Sequence, residues 1–259
     1  HIKITQTVLL PHIDSKYVAL CEGDDFWTDT SKLQQQVDYM EKHEKCTLCF
    51  HNAEFVDTDG RNLKPFYPQG IWNDSEIEKK LLLPEGADFD VPEILKLDFT
   101  PTASFLYRFD LYKELEKFDV SLDLLIRLVA TNMGYSHYIN KKMSAYRTGN
   151  SQSASGVLQN SESKLFNGFY KVHCKILDDF DCYTDSKSHD DIVKQKERKK
   201  LTVYATTLNL EEMRRSTEYS SLKRKYIVKI VAKKYLKIPF HLVKVIKEKI
   251  YQTINKKEK

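Results

Sequence analysis

Three carboxylates fall within four positions in the run Cys21-Glu22-Gly23-Asp24-Asp25-Phe26-Trp27. Like charges this close repel one another, and half-burying them is costly unless something positive sits among them. A bound divalent cation meets that need. Carboxylate oxygens are hard ligands suited to Mg2+ or Mn2+, and Mg2+ takes only one or two protein carboxylates while waters and substrate phosphates complete its shell. Two adjacent Asp side chains can share such a cation, or divide a metal and a ribose between them. The plainer reading is an acidic turn that leads into a helix, with Asp29 or Thr30 as its N-cap. The two readings can coexist.

Position matters as much as composition. The apolar segment Tyr17-Val18-Ala19-Leu20-Cys21 reads as a strand buried on both faces, and Gly23 lets the chain turn at its carboxyl end. Open α/β sheets bind their ligands at that end. After the acidic run, apolar spacing predicts a helix from about residue 30 to His43, and Cys46 to Val56 reads as a strand. Asp59-Gly60 signals a turn into a paired strand. Residues 65–90 are expected to be a loop, Pro92 to Leu97 a short helix, and residues 101–108 a strand. Leu122 to Met133 reads as a helix closed by Gly134, and Tyr135 to Arg147 as a returning strand. Strands alternating with helices predict the α/β class.

Four of these segments resemble one family. Lys16 through Asp29, followed by Lys32-Leu33-Gln34-Gln35-Gln36-Val37-Asp38-Tyr39, closely resembles the DxD region of family 2 glycosyltransferases of the GT-A fold. Cys49-Phe50-His51-Asn52 is similar to the C-x-H-N strand of bacterial members, and Thr102-Ala103-Ser104-Phe105-Leu106-Tyr107-Arg108 to the acceptor-side strand. Gly134 through Met143-Ser144-Ala145-Tyr146-Arg147 is similar to the closing Y-R segment. The resemblance covers residues 3–149 in the family's order. It implies a GT-A-like, partial Rossmann-like mixed sheet followed by a C-terminal helical region.

It also implies roles. Glu22 would lie near the ribose of a nucleotide-diphosphate sugar, with Asp24 and Asp25 on Mg2+ or Mn2+. Glu22 stands where the family more often has Asp. Trp27 and Arg147 would face the donor, and His51, Asn52, Thr102 and Ser104 the acceptor, a saccharide or lipid-linked saccharide. Trp27 and His51 have core readings as well, and Arg147 one as an ion-pair partner. Asp123 falls at the position of the base that deprotonates the acceptor hydroxyl in an inverting transfer. Leu122 replaces the small or acidic residue before it, and an Asp in a first helical turn is also favoured by the helix dipole alone.

The same resemblance exposes an absence, since only about twenty residues precede the triplet. The part of the domain that holds the nucleotide base is expected to be missing. That leaves a second reading, a non-catalytic remnant acting as a binding or membrane-associated module. A sheet cut at its middle would expose strand edges, with residues 2–10 a candidate edge strand or the approach from a helix to a strand.

Composition bounds the rest. At 259 residues, with 41% hydrophobic and 12% aromatic residues, the chain can bury a substantial core. Five cysteines, an odd number, point to a reducing compartment. Cys46 and Cys49 have the spacing of half a zinc site, but no second pair follows, and positions three apart on a strand face opposite sides. Buried free thiols are the expectation. No apolar run approaches the roughly 20 residues of a membrane span, and no signal peptide is visible. The expected location is cytoplasmic, peripheral at the inner face of the cell membrane.

Thr148 to Gly156 is rich in Gly and Ser and reads as a loop or linker, and the family resemblance implies that it also acts as a lid. It divides an expected catalytic domain, 1–150, from a helical extension, 151–220, where residues 161–180 and 190–219 show helical spacing. Residues 221–259 carry thirteen Lys or Arg against two Glu, a net of +11, while the whole chain is only +4. Apolar positions at helical spacing predict two basic amphipathic helices broken at Pro239. Such helices either lie on an anionic membrane or pack their apolar stripe on the domain. No base-reading module accompanies them, so nucleic acid is not expected as a partner.

Overall fold

The structure, a computed structural model, describes residues 14–68, 70–119, 122–149 and 165–236. Two long strands organise the first part, β3 (Cys46–Val56) and β7 (Tyr135–Arg147), which run parallel. The sequence of β3 is largely apolar and that of β7 mixes apolar and polar residues, and much of each is buried. Around them lie β1 (Tyr17–Ala19), β2 (Phe26–Trp27), β4 (Asn62–Pro65), β5 (Ala87–Phe89) and β6 (Leu106–Arg108). The sheet is mixed and seven-stranded, in the order β1-β6-β3-β7-β2, with β4 on β3 and β5 on β7. Strand β6 is antiparallel to both β1 and β3. Therefore β1, β3 and β7 point the same way, and the acidic run after β1 lies at their shared carboxyl end.

Helices cover both faces. Cys46 packs against α1 (Lys32–Lys42), whereas the hydroxyl of the next residue, Thr47, donates to the Ala130 carbonyl in α5 (Asp123–Met133). Phe50, Phe105, Tyr107, Leu125, Leu128, Val129 and Tyr138 are fully buried between these layers. Each such side chain contributes about 1.5–3 kcal/mol relative to exposure. Gly134 follows α5 with φ −169° and ψ −104°. A Cβ there would come within 2.1 Å of the Lys45 carbonyl oxygen, so close backbone approach, and not a left-handed cap, requires glycine.

Several expectations need correction. Strand β1 is three residues long and half-buried, not buried on both faces, because it ends the described order of the sheet. Helix α1 starts one residue beyond Ser31, and Asp29 accepts the backbone N–H and hydroxyl of Ser31 instead of capping the helix directly. The expected loop at 65–90 contains α2 (Ser75–Lys80) and β5, the latter with two buried residues flanking exposed Asp88. Only the end of the 101–108 segment is strand, since Thr102–Ser104 form a 3-10 turn. The short helix expected at Pro92 to Leu97 is present as α3 (Val91–Lys96), and a second one that was not expected, α4 (Leu111–Leu115), also precedes α5. Cys46 and Cys49 face the same apolar cluster, because the pairing of β3 with β7 shifts register between Cys46 and Leu48 and resets the alternation. Both thiols are free.

The described residues form two compact units. Residues 14–68, 75–119, 122–149 and 178–189 make the sheet unit, and residues 70–74, 165–177 and 190–236 a helical one. The C-terminal helical region comprises a π-helical turn at Leu165–Tyr170, α6 (Lys171–Tyr183), α7 (His189–Thr206), α8 (Leu210–Arg215) and α9 (Arg224–Leu236). Trp72, Leu201, Ala205, Leu210, Met213, Leu222 and Ile230 are the core of the helical unit. Arg198 lies beside that core, paired with Asp74 at 2.8 Å and Glu218 at 3.0 Å. The edge strand expected at 2–10, the linker from residue 150 to 156 and the helix expected after Pro239 lie outside the described residues.

Candidate functional site

At the end of β1 the Leu20 N–H donates to the Phe105 carbonyl at 3.2 Å, and the chain then turns, the Asp25 N–H donating to the Glu22 carbonyl at 3.1 Å. Gly23 sits in this turn without a positive φ, and a Cβ there would meet nothing within 4 Å. The turn itself does not demand glycine. Strand β2 then pairs Phe26 with Ala145 and Trp27 with Ser144, which sets the acidic turn against the end of β7.

Arg147, the last residue of β7, holds that turn. Its backbone N–H donates to Asp25 Oδ1 at 2.9 Å. Its guanidinium donates to three carbonyl oxygens, those of Asp24 at 3.0 Å, Asp57 at 3.3 Å and Thr58 at 2.8 Å, and lies 5.6 Å from the Phe26 ring. The planar fork of Arg suits several fixed acceptors at once. Asp25 Oδ2, in contrast, is buried and has no hydrogen-bond partner.

Removal from water raises the proton affinity of Asp25 above the ordinary carboxylate range, with the Arg147 N–H opposing the shift and Asp24 adding to it. Glu22 is raised for the same leading reason. The charges of Asp25, Asp123 and Asp24 push it further, and a hydrogen bond with the Thr102 side chain pulls it back. Asp123 opens α5, where Leu122 is the N-cap and supplies no side-chain bond to the helix. The charges of Asp24, Asp25 and Asp123 thus all act on Glu22 at one end of the sheet, with Thr102 beside it.

Trp27 connects this surface to the interior. The residue is 38% exposed, and its Nε1–H donates to the Ala103 carbonyl at 2.9 Å. The Lys32 ammonium lies 4.4 Å from the ring centre and donates to Gln36 Oε1 at 2.9 Å, although Lys32 is only 1% exposed. Burial lowers its pKa to about 8. Gln36 in turn donates to the carbonyls of Cys49 and Ser104. Sequence reasoning missed Lys32 and Gln36. The signal was present, since with Met40 they fill the buried i, i+4, i+8 stripe of α1, where apolar residues are ordinary.

Three residues assigned to the acceptor side are turned inward. Ser104 is fully buried and donates to the Pro101 carbonyl at 2.5 Å. Asn52 is buried and clamps Tyr67, accepting its N–H at 2.9 Å and donating to its carbonyl at 3.1 Å. His51 is also fully buried, with Nδ1 at 2.7 Å from the Asn52 carbonyl and Nε2 without a partner. Burial lowers its pKa to about 3, so it is neutral at pH 7.

Among the described residues, no three His, Cys, Asp or Glu side chains are grouped so as to hold a metal by themselves. A Mg2+ or Mn2+ bound by one or two carboxylates and a diphosphate requires no such trio. The buried, partnerless Oδ2 of Asp25, with exposed Asp24 beside it, fits a cation of that kind.

No family model matches the chain. Uncharacterized protein Mb1547 of Mycobacterium bovis and Uncharacterized protein Rv1520 of Mycobacterium tuberculosis are each 37% identical to it over 93 residues, 36% of this chain. The chain spans about a quarter of the length of these curated relatives, 23% in each case. Among solved structures, the crystal structure of S. aureus TarS 1-349 overlaps 78% of this chain and 58% of that one, at 14% identity and a TM-score of 0.36.

Proposed function

We propose that the sheet unit is a glycosyltransferase domain that takes a sugar from a nucleotide-diphosphate donor to an acceptor hydroxyl, with inversion. The observation that carries this reading is the buried carboxylate oxygen of Asp25 left without a partner after β1, beside Glu22, on which the charges of Asp24, Asp25 and Asp123 all act. Such an oxygen is costly unless a cation or a donor meets it. The motif resemblance supports the same assignment.

Asp25 and Asp24 would hold Mg2+ or Mn2+, which would supply positive charge against the diphosphate leaving group. Arg147 holds the backbone carbonyl of Asp24 and the Oδ1 of Asp25, so the acidic turn is set before any ligand arrives. Trp27, braced by the Ala103 carbonyl and the Lys32 ammonium, offers an aromatic face on the same side. Asp123 would accept the acceptor hydroxyl's proton as that oxygen attacks the anomeric carbon and the bond from that carbon to the diphosphate breaks. The acceptor class we favour is an envelope glycan or a lipid-linked saccharide.

The test is release of nucleoside diphosphate from a panel of uridine and guanosine diphosphate sugars in the presence of Mn2+. Metal-dependent release that is lost in Asp123→Asn, with Mn2+ binding retained, supports the reading. Release that survives in Asp123→Asn removes Asp123 as the base. No release with any donor, alongside normal Mn2+ and diphosphate binding, favours a binding module.

A further inference from the structure

Helix α9 presents two different faces. Tyr226, Ile227, Ile230 and Val231 pack against the core of the helical unit, so one apolar stripe is already used internally. At about 100° per residue, Tyr235, Val228 and Ala232 form a second strip on the outer side, separated from Val231 by Arg224. Val228 is 63% exposed and Tyr235 65%, the two most exposed large hydrophobic residues among those described. Arg224 borders this strip on one side and Lys225 on the other, with Lys229 and Lys233 further round, and all four are exposed. No acidic residue occurs between Glu218 and Glu248.

We propose that this outer face of α9 docks on an anionic lipid surface, with Val228 and Tyr235 entering the interface and the flanking basic residues meeting lipid headgroups. A helix lies in a membrane interface when an apolar strip is bordered by cations. Tyr suits that depth, because its ring is apolar and its hydroxyl polar. The chain's own segment from residue 240 onward is a poor occupant, since it carries six Lys against two Glu and would set like charge on like. A nucleic acid would use the cations but gain little from Val228. The proposal stands whether or not the sheet unit transfers sugars.

The experiment is co-sedimentation of the full chain with phosphatidylcholine vesicles, with and without about a third phosphatidylglycerol, and with a double-stranded DNA and a single-stranded RNA as separate probes. Binding is expected only with the anionic lipid and is expected to weaken in 0.5 M salt. Each basic residue at the surface accounts for roughly a five-fold change, so the triple variant Arg224→Ala, Lys225→Ala, Lys233→Ala is expected to lose about a hundred-fold in vesicle partitioning. Val228→Ser with Tyr235→Ser, at outward positions that leave the inner stripe intact, is expected to lose binding with unchanged circular dichroism. Equal binding to neutral vesicles, unchanged binding in the serine variant, or tighter binding to either nucleic acid than to anionic vesicles would overturn the proposal. So would loss of the exposed face to self-association, read as a dimer whose stability falls in the serine variant.

Discussion

Asp25 Oδ1 accepts the backbone N–H of Arg147 at 2.9 Å, joining two residues 122 positions apart. The bond ties the first acidic turn to the last strand of the sheet. It also uses one oxygen of Asp25 and leaves the other buried and bare.

Arg147 is expected to act as a positioning residue through its three carbonyl contacts. Replacing it with Lys keeps the charge but not the fork, and Lys cannot satisfy the Asp24, Asp57 and Thr58 carbonyls together. Arg147→Lys and Arg147→Ala should both lose about 1–3 kcal/mol in chemical denaturation, the usual cost of unmet hydrogen bonds to a charged group. A Lys variant as stable as the parent would show that the fork holds nothing.

The raised proton affinities of Glu22 and Asp25 have a definite sign for stability. A carboxyl whose folded pKa exceeds its unfolded value binds more protons when folded, so stability rises as pH falls through the interval between the two values. At pH 7 both charges are a burden on the fold. Asp25→Asn should therefore be more stable than the parent at pH 7, and the advantage should shrink on acidification. Melting curves across pH 4–7 check this, and a variant less stable at pH 7 would contradict it. Metal binding has the opposite trend, because only the ionised carboxylates bind, so added Mn2+ should stabilise the parent less as pH falls.

Lys32 provides a spectroscopic handle. Its ammonium lies against the Trp27 ring and titrates at about 8. Trp27 emission should change with a midpoint near pH 8, and the change should vanish in Lys32→Met. An identical titration in that variant would place its source elsewhere. The linkage sign is also fixed: with the folded pKa below the unfolded one, stability attributable to Lys32 rises with pH from about 8 towards 10.5.

Gly134→Ala tests the packing of α5 against the sheet. Gly to Ala in an open, permissive position stabilises by a few tenths of a kcal/mol to about 1. Here the added carbon would meet the Lys45 carbonyl at 2.1 Å, and the expected effect is a loss of about 2–4 kcal/mol. A neutral result in thermal denaturation would mean that the turn relaxes freely.

What was legible in the sequence follows from length and periodicity. Cys46–Val56 and Tyr135–Arg147 were readable as strands to the residue, because long runs of apolar and β-favouring residues bounded by turn signals leave little choice. Strand β5 and helix α4, three and five residues long, are too short for any period to register. The register shift that brings Cys46 and Cys49 to one face depends on the partner strand, not on their own spacing. At the site, the acidic turn and Asp123 stand out by residue type and place in the chain. The anchoring of Arg147 on carbonyls from residues 24, 57 and 58 does not, because backbone acceptors leave no trace in side-chain identity. Asn52 and Ser104 show the reverse case: polar types suggest contact with a ligand, but their hydrogen bonds close on Tyr67 and Pro101 within the fold, while buried His51 meets Asn52 through Nδ1 and leaves Nε2 without a partner.

The most direct test concerns the bare oxygen of Asp25. Mn2+ binding should be measured by calorimetry on the parent and on Asp25→Asn, each alone and with uridine or guanosine diphosphate. A metal and diphosphate site built on Asp25 predicts that either diphosphate tightens Mn2+ binding to the parent and that Asp25→Asn, still folded by circular dichroism, loses the effect. Mn2+ binding that ignores the diphosphates, or that persists unchanged in Asp25→Asn, would contradict it.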